Sequence, residues 1–141
     1  MVCSGEDRKL KLQTPGAFAN GTPWGVTDVP LVYEPPANNP AQLQTRDVTG
    51  PNGTMYKLQA DPPRKLKNLL NIPTIYVVAE RSGRNGASVV AFLKQAGVDA
   101  EEFNLKDKGI LGNGHFMMLE NNRRQVFDAI RGWLETKIRN T

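Results

Sequence analysis

The stretch "PTIYVVA", Pro73 to Ala79, is a nearly continuous apolar run rich in β-branched residues. A strand covered on both faces, as in a parallel sheet, needs such a run. "ERSGRNGA" then reads as a loop. After it Val89, Phe92, Leu93 and Ala96 recur at helical spacing, and Gly97 supplies a C-terminal stop. "AEEFNL", about 100–105, reads as a short second strand. A closing helix is expected over about 123–138, with Val126, Phe127, Ile130, Leu134 and Ile138 as its buried stripe and Trp133 at the margin. Strand, helix, strand in that order implies a right-handed crossover and a parallel pair. The fold class is α/β, with strands near 74–79 and 101–105 adjacent and parallel and a helix near 87–96 crossing between them.

Upstream the text changes character, and all ten prolines fall at or before Pro73. "QTPGAFANGTPWG", "YEPPANNPAQ" and "TGPNGT" carry the Gly, Pro and Asn that punctuate turns. Residues 1–62 are therefore read as a loop-rich, lid-like segment and 63–141 as a β-α-β-α unit. Within the first segment, "VTDVPLVYEPP" has the alternating apolar residues of an extended stretch docked on something. A short helix is expected around Pro63–Leu70, with prolines in its first turn. Two strands with apolar faces do not complete a sheet, so a protein partner or an oligomer is expected to cover the exposed edge.

A chain of 141 residues can bury one core. Its formal charge of +4 is scattered rather than interleaved with aromatics, and no zinc-finger, RNP or helix-turn-helix pattern occurs, so no nucleic-acid partner is expected. A single cysteine, Cys3, excludes an internal disulfide and cannot alone form a metal site; no metal or cofactor is expected. No apolar run has the length of a membrane span, and "MVCSGEDRKLKL" lacks the apolar stretch of a signal peptide. The expected compartment is cytoplasmic, which makes the sequons at Asn20 and Asn52 chance matches.

"GNGHFMMLENN", Gly112 to Asn122, holds the only histidine. On its own His115 is either a loop histidine bonded to backbone or a general base. Glycines beside it permit the turn that would present it. Glu80, next to Arg81 at the strand end, is either half of a surface ion pair or an acid. "FMML" is expected as core beneath the closing helix. Trp24, in "TPWGVTDVP", would either overhang a pocket or fill the groove between loop and sheet.

Four stretches together resemble the C-terminal part of an α/β-hydrolase. They are "IPTIYVVAERSG", "FLKQAGVDAEEFNLKDKGILGNGH", "FMMLENNRRQVFDAIRGWLE" and, for one esterase-like branch, "PWGVTDVPLVYEPP". The resemblance implies the last two parallel strands of that fold with their flanking helices. It places His115 on the catalytic base and Glu80 on the acid. Asp107 and Glu120 lie nearer to His115, but in that family the acid comes from the earlier strand end. Family chemistry also requires a serine on a strained elbow, ahead of the acid in the chain. The serines here are Ser4, Ser82 and Ser88, and none stands in such an elbow. Cys3 has no strand before it and is poorly placed as a nucleophile.

Three functions follow as expectations. The first is an esterase-like hydrolase acting on a small-molecule ester, incomplete and inactive alone. The second is a non-catalytic interaction protein. The third is a cyclase or isomerase using His115 as a serine-independent base.

Overall fold

The computed structural model describes residues 16–19, 21–84 and 86–139. In chain order it contains β1 (Tyr33–Glu34), β2 (Thr45–Thr49), β3 (Met55–Gln59), β4 (Lys65–Leu66), β5 (Thr74–Val78), α1 (Gly86–Gln95), β6 (Ala100–Asn104) and α2 (Arg123–Arg139). Three two-stranded sheets result: β1 with β4 and β2 with β3, both antiparallel, and β5 with β6, parallel. The parallel register pairs Thr74 with Ala100 and Val78 with Asn104. A hairpin cannot join parallel strands, and α1 makes the crossover. The chain is mixed α/β with a parallel pair joined through a helix, as the apolar run and the helical spacing implied.

Alternation along the pair divides the core in two. Tyr76 and Ala100 face the side of α1, where Val89, Val90, Phe92, Leu93 and Ala96 are buried. Ile75, Val77, Phe103 and Leu105 face the other side, against Val126, Ala129, Ile130 and Trp133 of α2. Both faces of β5 are thus covered, which is why its sequence is apolar at consecutive positions. Phe92 is completely buried and Phe18 packs edge-on against it at 5.1 Å between centroids. Helix α1 ends in a Schellman motif: the Val98 N–H donates to the Leu93 carbonyl, the Gly97 N–H to that of Lys94, and Gly97 has φ +82°. Glycine takes that conformation without a Cβ penalty.

The segment read as loop contributes more order than its composition suggested. Strands β2 and β3 form a five-residue hairpin around the turn Pro51–Gly53. Gln95 of α1 clasps its end, accepting from the Gln59 N–H and donating to the Gln59 carbonyl, each at 2.9 Å. Trp24 is buried in the α1-side core, so it fills the groove rather than overhanging a pocket. The Tyr33 hydroxyl donates to the Trp24 carbonyl at 2.5 Å, and burial pushes that phenol far above its ordinary pKa.

Three expectations are corrected. The helix expected at 63–70 is instead β4 and a 3-10 turn, Lys67–Leu69. Its backbone donors go elsewhere: Arg64 N–H to the Gln59 side chain, Leu66 N–H to Ala96 and Lys67 N–H to Val32. In "FMML" only Met117 packs against the core, while Phe116, Met118 and Leu119 are exposed. Helix α2 is also turned from the expected phase, since Phe127, Leu134 and Ile138 are exposed. Trp133 sets that phase. Its indole N–H needs an acceptor when packed inward, and Glu101 of β6 provides one at 2.5 Å, with Lys137 Nζ at 3.1 Å from the same carboxylate.

That indole N–H, and then Lys137, hold the Glu101 carboxyl below the usual carboxylate range. A depressed folded-state pKa contributes stability that is present above the unfolded value, near 4.3, and is lost as pH falls through the folded value. Glu101 is half-exposed, so solvent screens the gain. Glu101→Gln is expected to cost about 1 kcal/mol at pH 7. The difference should shrink as pH falls below the unfolded value toward the folded one; urea unfolding at pH 7 and at a series of acidic pH values measures it.

Candidate active site

Because β5 and β6 run parallel, the loops that follow them leave from the same edge. Glu80 follows β5 by two residues, and the loop holding His115 lies between β6 and α2. Ligands in open α/β sheets bind at this carboxyl edge. The two loops are tied together directly. Glu80 Oε2 accepts from the Gly112 N–H at 2.8 Å, and the Arg81 N–H donates to the Asn113 carbonyl at 2.9 Å. Lys106 Nζ lies 4.0 Å from Glu80 Oε1, a distance that contributes little in a solvated pair.

The loop itself is held by a part-buried polar cluster around one buried side chain. Asn113 is fully buried. Its Nδ2 donates to Asn122 Oδ1 at 2.7 Å and to Glu120 Oε2 at 3.1 Å, and its Oδ1 accepts from Asn122 Nδ2 at 2.8 Å. Glu120 Oε1 accepts from the Gly114 N–H at 2.6 Å. Gly112, with φ +83°, makes the turn that enters the cluster. A shallow depression of about 380 Å³, lined by Leu111, Gly112, Glu120, Asn121 and Asn122, adjoins it.

His115 projects from this frame into solvent, beside the exposed Phe116 ring. Arg84 Nη2 lies 3.2 Å from its Nε2. A guanidinium only donates, so Nε2 accepts and the proton of the neutral ring sits on Nδ1. A base in acyl transfer uses this tautomer, with the Nε2 lone pair directed at the nucleophile and Nδ1–H available to a carboxylate. Glu80 and His115 thus share one sheet edge. Among the described residues no hydrogen bond joins them, and the Glu80 carboxylate is engaged by the backbone of the histidine loop instead.

The two serines among the described residues, Ser82 and Ser88, are each engaged by backbone N–H groups. Ser88 is completely buried in α1, where its Oγ accepts from the Ala17 N–H. Ser82 lies in the turn after Glu80, with its Oγ accepting from the Arg84 N–H at 3.4 Å. Ser4 and Cys3 lie outside the described residues, as does Asn20. Among the described residues no group of three His, Cys, Asp or Glu side chains could hold a metal ion, and no helix is long and apolar enough to cross a membrane. The reading of the N-terminus as lacking a leader also falls outside the described residues.

Sequence reasoning missed Asn113, Asn122 and Arg84 and assigned no role to Glu120. The available signal was the polar composition of "GNGH" and "ENN" on either side of an apolar turn, which has no period to reveal a pairing.

Among curated proteins the chain is similar to one named Probable secreted lipase phiG, from Fungal sp. (strain ATCC 74256), at 38% identity over 118 residues. The match covers 80% of this chain and 32% of the relative, so the chain spans about a third of the relative's length. That name describes a secreted protein and lends no support to a cytoplasmic compartment. No protein-family model matches the chain, and no solved structure matches it.

The Gly112 conformation gives a direct test of the loop geometry. A Cβ there meets no atom within 4 Å, so Gly112→Ala carries only the cost of a positive φ. The expected destabilisation is about 1–2 kcal/mol. It should appear as a lower urea midpoint with an unchanged slope.

Proposed function

We propose that the chain forms the acid-and-base portion of a lipase-like carboxylic ester hydrolase of α/β-hydrolase type. The similarity to a probable secreted lipase over most of the chain carries this reading. The placement of Glu80 and His115 at one edge of a parallel pair agrees with it. In the proposed mechanism His115 Nε2 takes the proton of a serine hydroxyl as that oxygen attacks the ester carbonyl. It then returns the proton to the departing alkoxide. For its part in this mechanism Glu80 turns its carboxylate from the Gly112 N–H to the imidazole Nδ1–H, where it holds the ring and stabilises its charged form. The serine and the oxyanion donors come from outside the described residues, on a further polypeptide region, and Arg84 leaves Nε2 when the hydroxyl arrives.

On this reading the purified chain does not turn over activated esters and is not labelled by serine-directed phosphonates. Removing even one oxyanion donor costs about 2.7–4 kcal/mol of transition-state stabilisation, and the nucleophile is absent as well. Co-expression with the part of the lipase-like relative that this chain leaves unmatched should give saturable turnover. His115→Ala should abolish it, and Glu80→Gln should lower kcat toward the roughly 10⁴-fold loss of a triad whose carboxylate becomes an amide. Saturable turnover by the chain alone, lost with His115→Ala but insensitive to phosphonates, would favour the serine-independent base.

A second reading rests on the exposed apolar residues Phe116, Met118, Leu119, Phe127, Leu134 and Ile138. These suit an interaction chain whose surface a protein partner or a second copy covers. A stable complex with no turnover in the same co-expression would favour it.

A further inference from the structure

The three residues before the imidazole are each fastened separately. Gly112 N–H is bound to Glu80, the Asn113 carbonyl to Arg81 N–H, and Gly114 N–H to Glu120. The fastening at Gly114 passes through a side chain that serves two donors at once. Glu120 takes Gly114 N–H on one oxygen and Asn113 Nδ2 on the other. Asn113 then returns both an acceptor and a donor to Asn122. Asn122 also starts α2, its carbonyl accepting from the N–H groups of Gln125 and Val126. A chain of hydrogen bonds therefore runs from the residue before His115 to the first turn of the closing helix.

We infer that Asn113, Glu120 and Asn122 are positioning residues for His115, a clamp that sets where the imidazole stands and which of its nitrogens faces Arg84. This assignment rests on the reading of His115 as the base for its functional meaning, though not for its measurement. Both amide hydrogens of Asn113 are used, and no other side chain supplies this set at that size. An aspartate there would lose both donors and bring a buried carboxylate against that of Glu120. A glutamine in place of Glu120 turns one of its two acceptors into a donor, which then faces either Gly114 N–H or Asn113 Nδ2. One of the two fastenings must open. Half-satisfied buried networks cost more than satisfied or wholly apolar ones, so the loop relaxes rather than keeping its shape.

The single histidine makes the consequence observable in the intact chain, with no substrate and no partner. Long-range ¹H–¹⁵N correlation of a histidine-labelled sample, at an alkaline pH where an imidazole is neutral, reports the His115 tautomer directly. The wild type should show one dominant form, with the proton on Nδ1. In Glu120→Gln and Asn122→Ser the signal should relax toward the tautomer mixture of an unconstrained imidazole. Glu101→Gln serves as control, because it weakens the protein at the opposite edge of the parallel pair. It should lower the unfolding midpoint while leaving the His115 signature untouched.

A fold-only role predicts a different pattern, in which the clamp variants lower the midpoint as the control does and the imidazole signal of the folded protein stays as in the wild type. That result overturns the inference, as does a mixed tautomer in the wild type. Using two clamp variants keeps the test open if one does not fold. Failure of the hydrolase reading would look different again, with the clamp signature intact and His115→Ala harmless in the co-expressed complex.

Discussion

Parallel pairing of β5 with β6 is the constraint from which the rest of this structure follows. Parallel strands must be joined over the top of the sheet, so α1 has to lie across one face. The crossover also sends the chain out of both strands at the same edge. Glu80 and the loop of His115 are neighbours for that reason, although His115 lies 35 positions further along the sequence. Two backbone-mediated hydrogen bonds then convert neighbourhood into a fixed relation between the loops.

The same pairing explains the two unequal halves of the core. The α1 side is sealed by the proline-rich segment, whose Trp24, Tyr33 and Leu43 add to a cluster with Phe92 at its centre. Burying a side chain such as Phe92 contributes roughly 1.5–3 kcal/mol, so this segment packs as part of the body, whatever its turns suggest. On the α2 side the helix contributes a narrower strip, Val126, Ala129, Ile130 and Trp133. Its remaining apolar residues stand in solvent. One anchor, the Trp133 to Glu101 hydrogen bond, decides which strip is which.

Legibility followed the physics of each element. The β5 run and the α1 spacing were readable because burial on both faces leaves a continuous apolar signature, and because Gly97 marks a stop that only a positive φ explains. The β2–β3 hairpin was not readable. "TRDVT" is mostly exposed and carries one apolar residue, "MYKLQ" alternates over only two apolar inward positions, Tyr56 and Leu58, and the turn between them looks like any other loop. The phase of α2 was misread because Phe127, Leu134 and Ile138 are as apolar as the residues that pack. Adjacent stripes on a helix are only 100° apart per residue. A polar contact from another strand broke the tie, and nothing in the helix itself encodes it. His115 and Glu80 could be nominated from the resemblance, whereas the clamp could not. Hydrogen bonds between Asn113, Glu120 and Asn122 depend on how the loop folds back, which residue spacing does not express.

The division of labour at the site edge is the last thing these contacts explain. A general base must be held firmly enough to point its lone pair, yet remain open to the group whose proton it takes. With His115 as the proposed base, the two demands fall on different atoms. The backbone before His115 is anchored by part-buried hydrogen bonds that converge on the buried Asn113, whose loss would leave its amide unsatisfied. Beside the Phe116 ring, the imidazole is met by the half-buried Arg84, whose long flexible stem lets it give up its place at Nε2. Arg84 donates to the same lone pair that a hydroxyl nucleophile would address, so it keeps the ring in the tautomer that such a hydroxyl requires. Rigid support behind the imidazole and a removable donor in front of it are what a base awaiting its nucleophile needs.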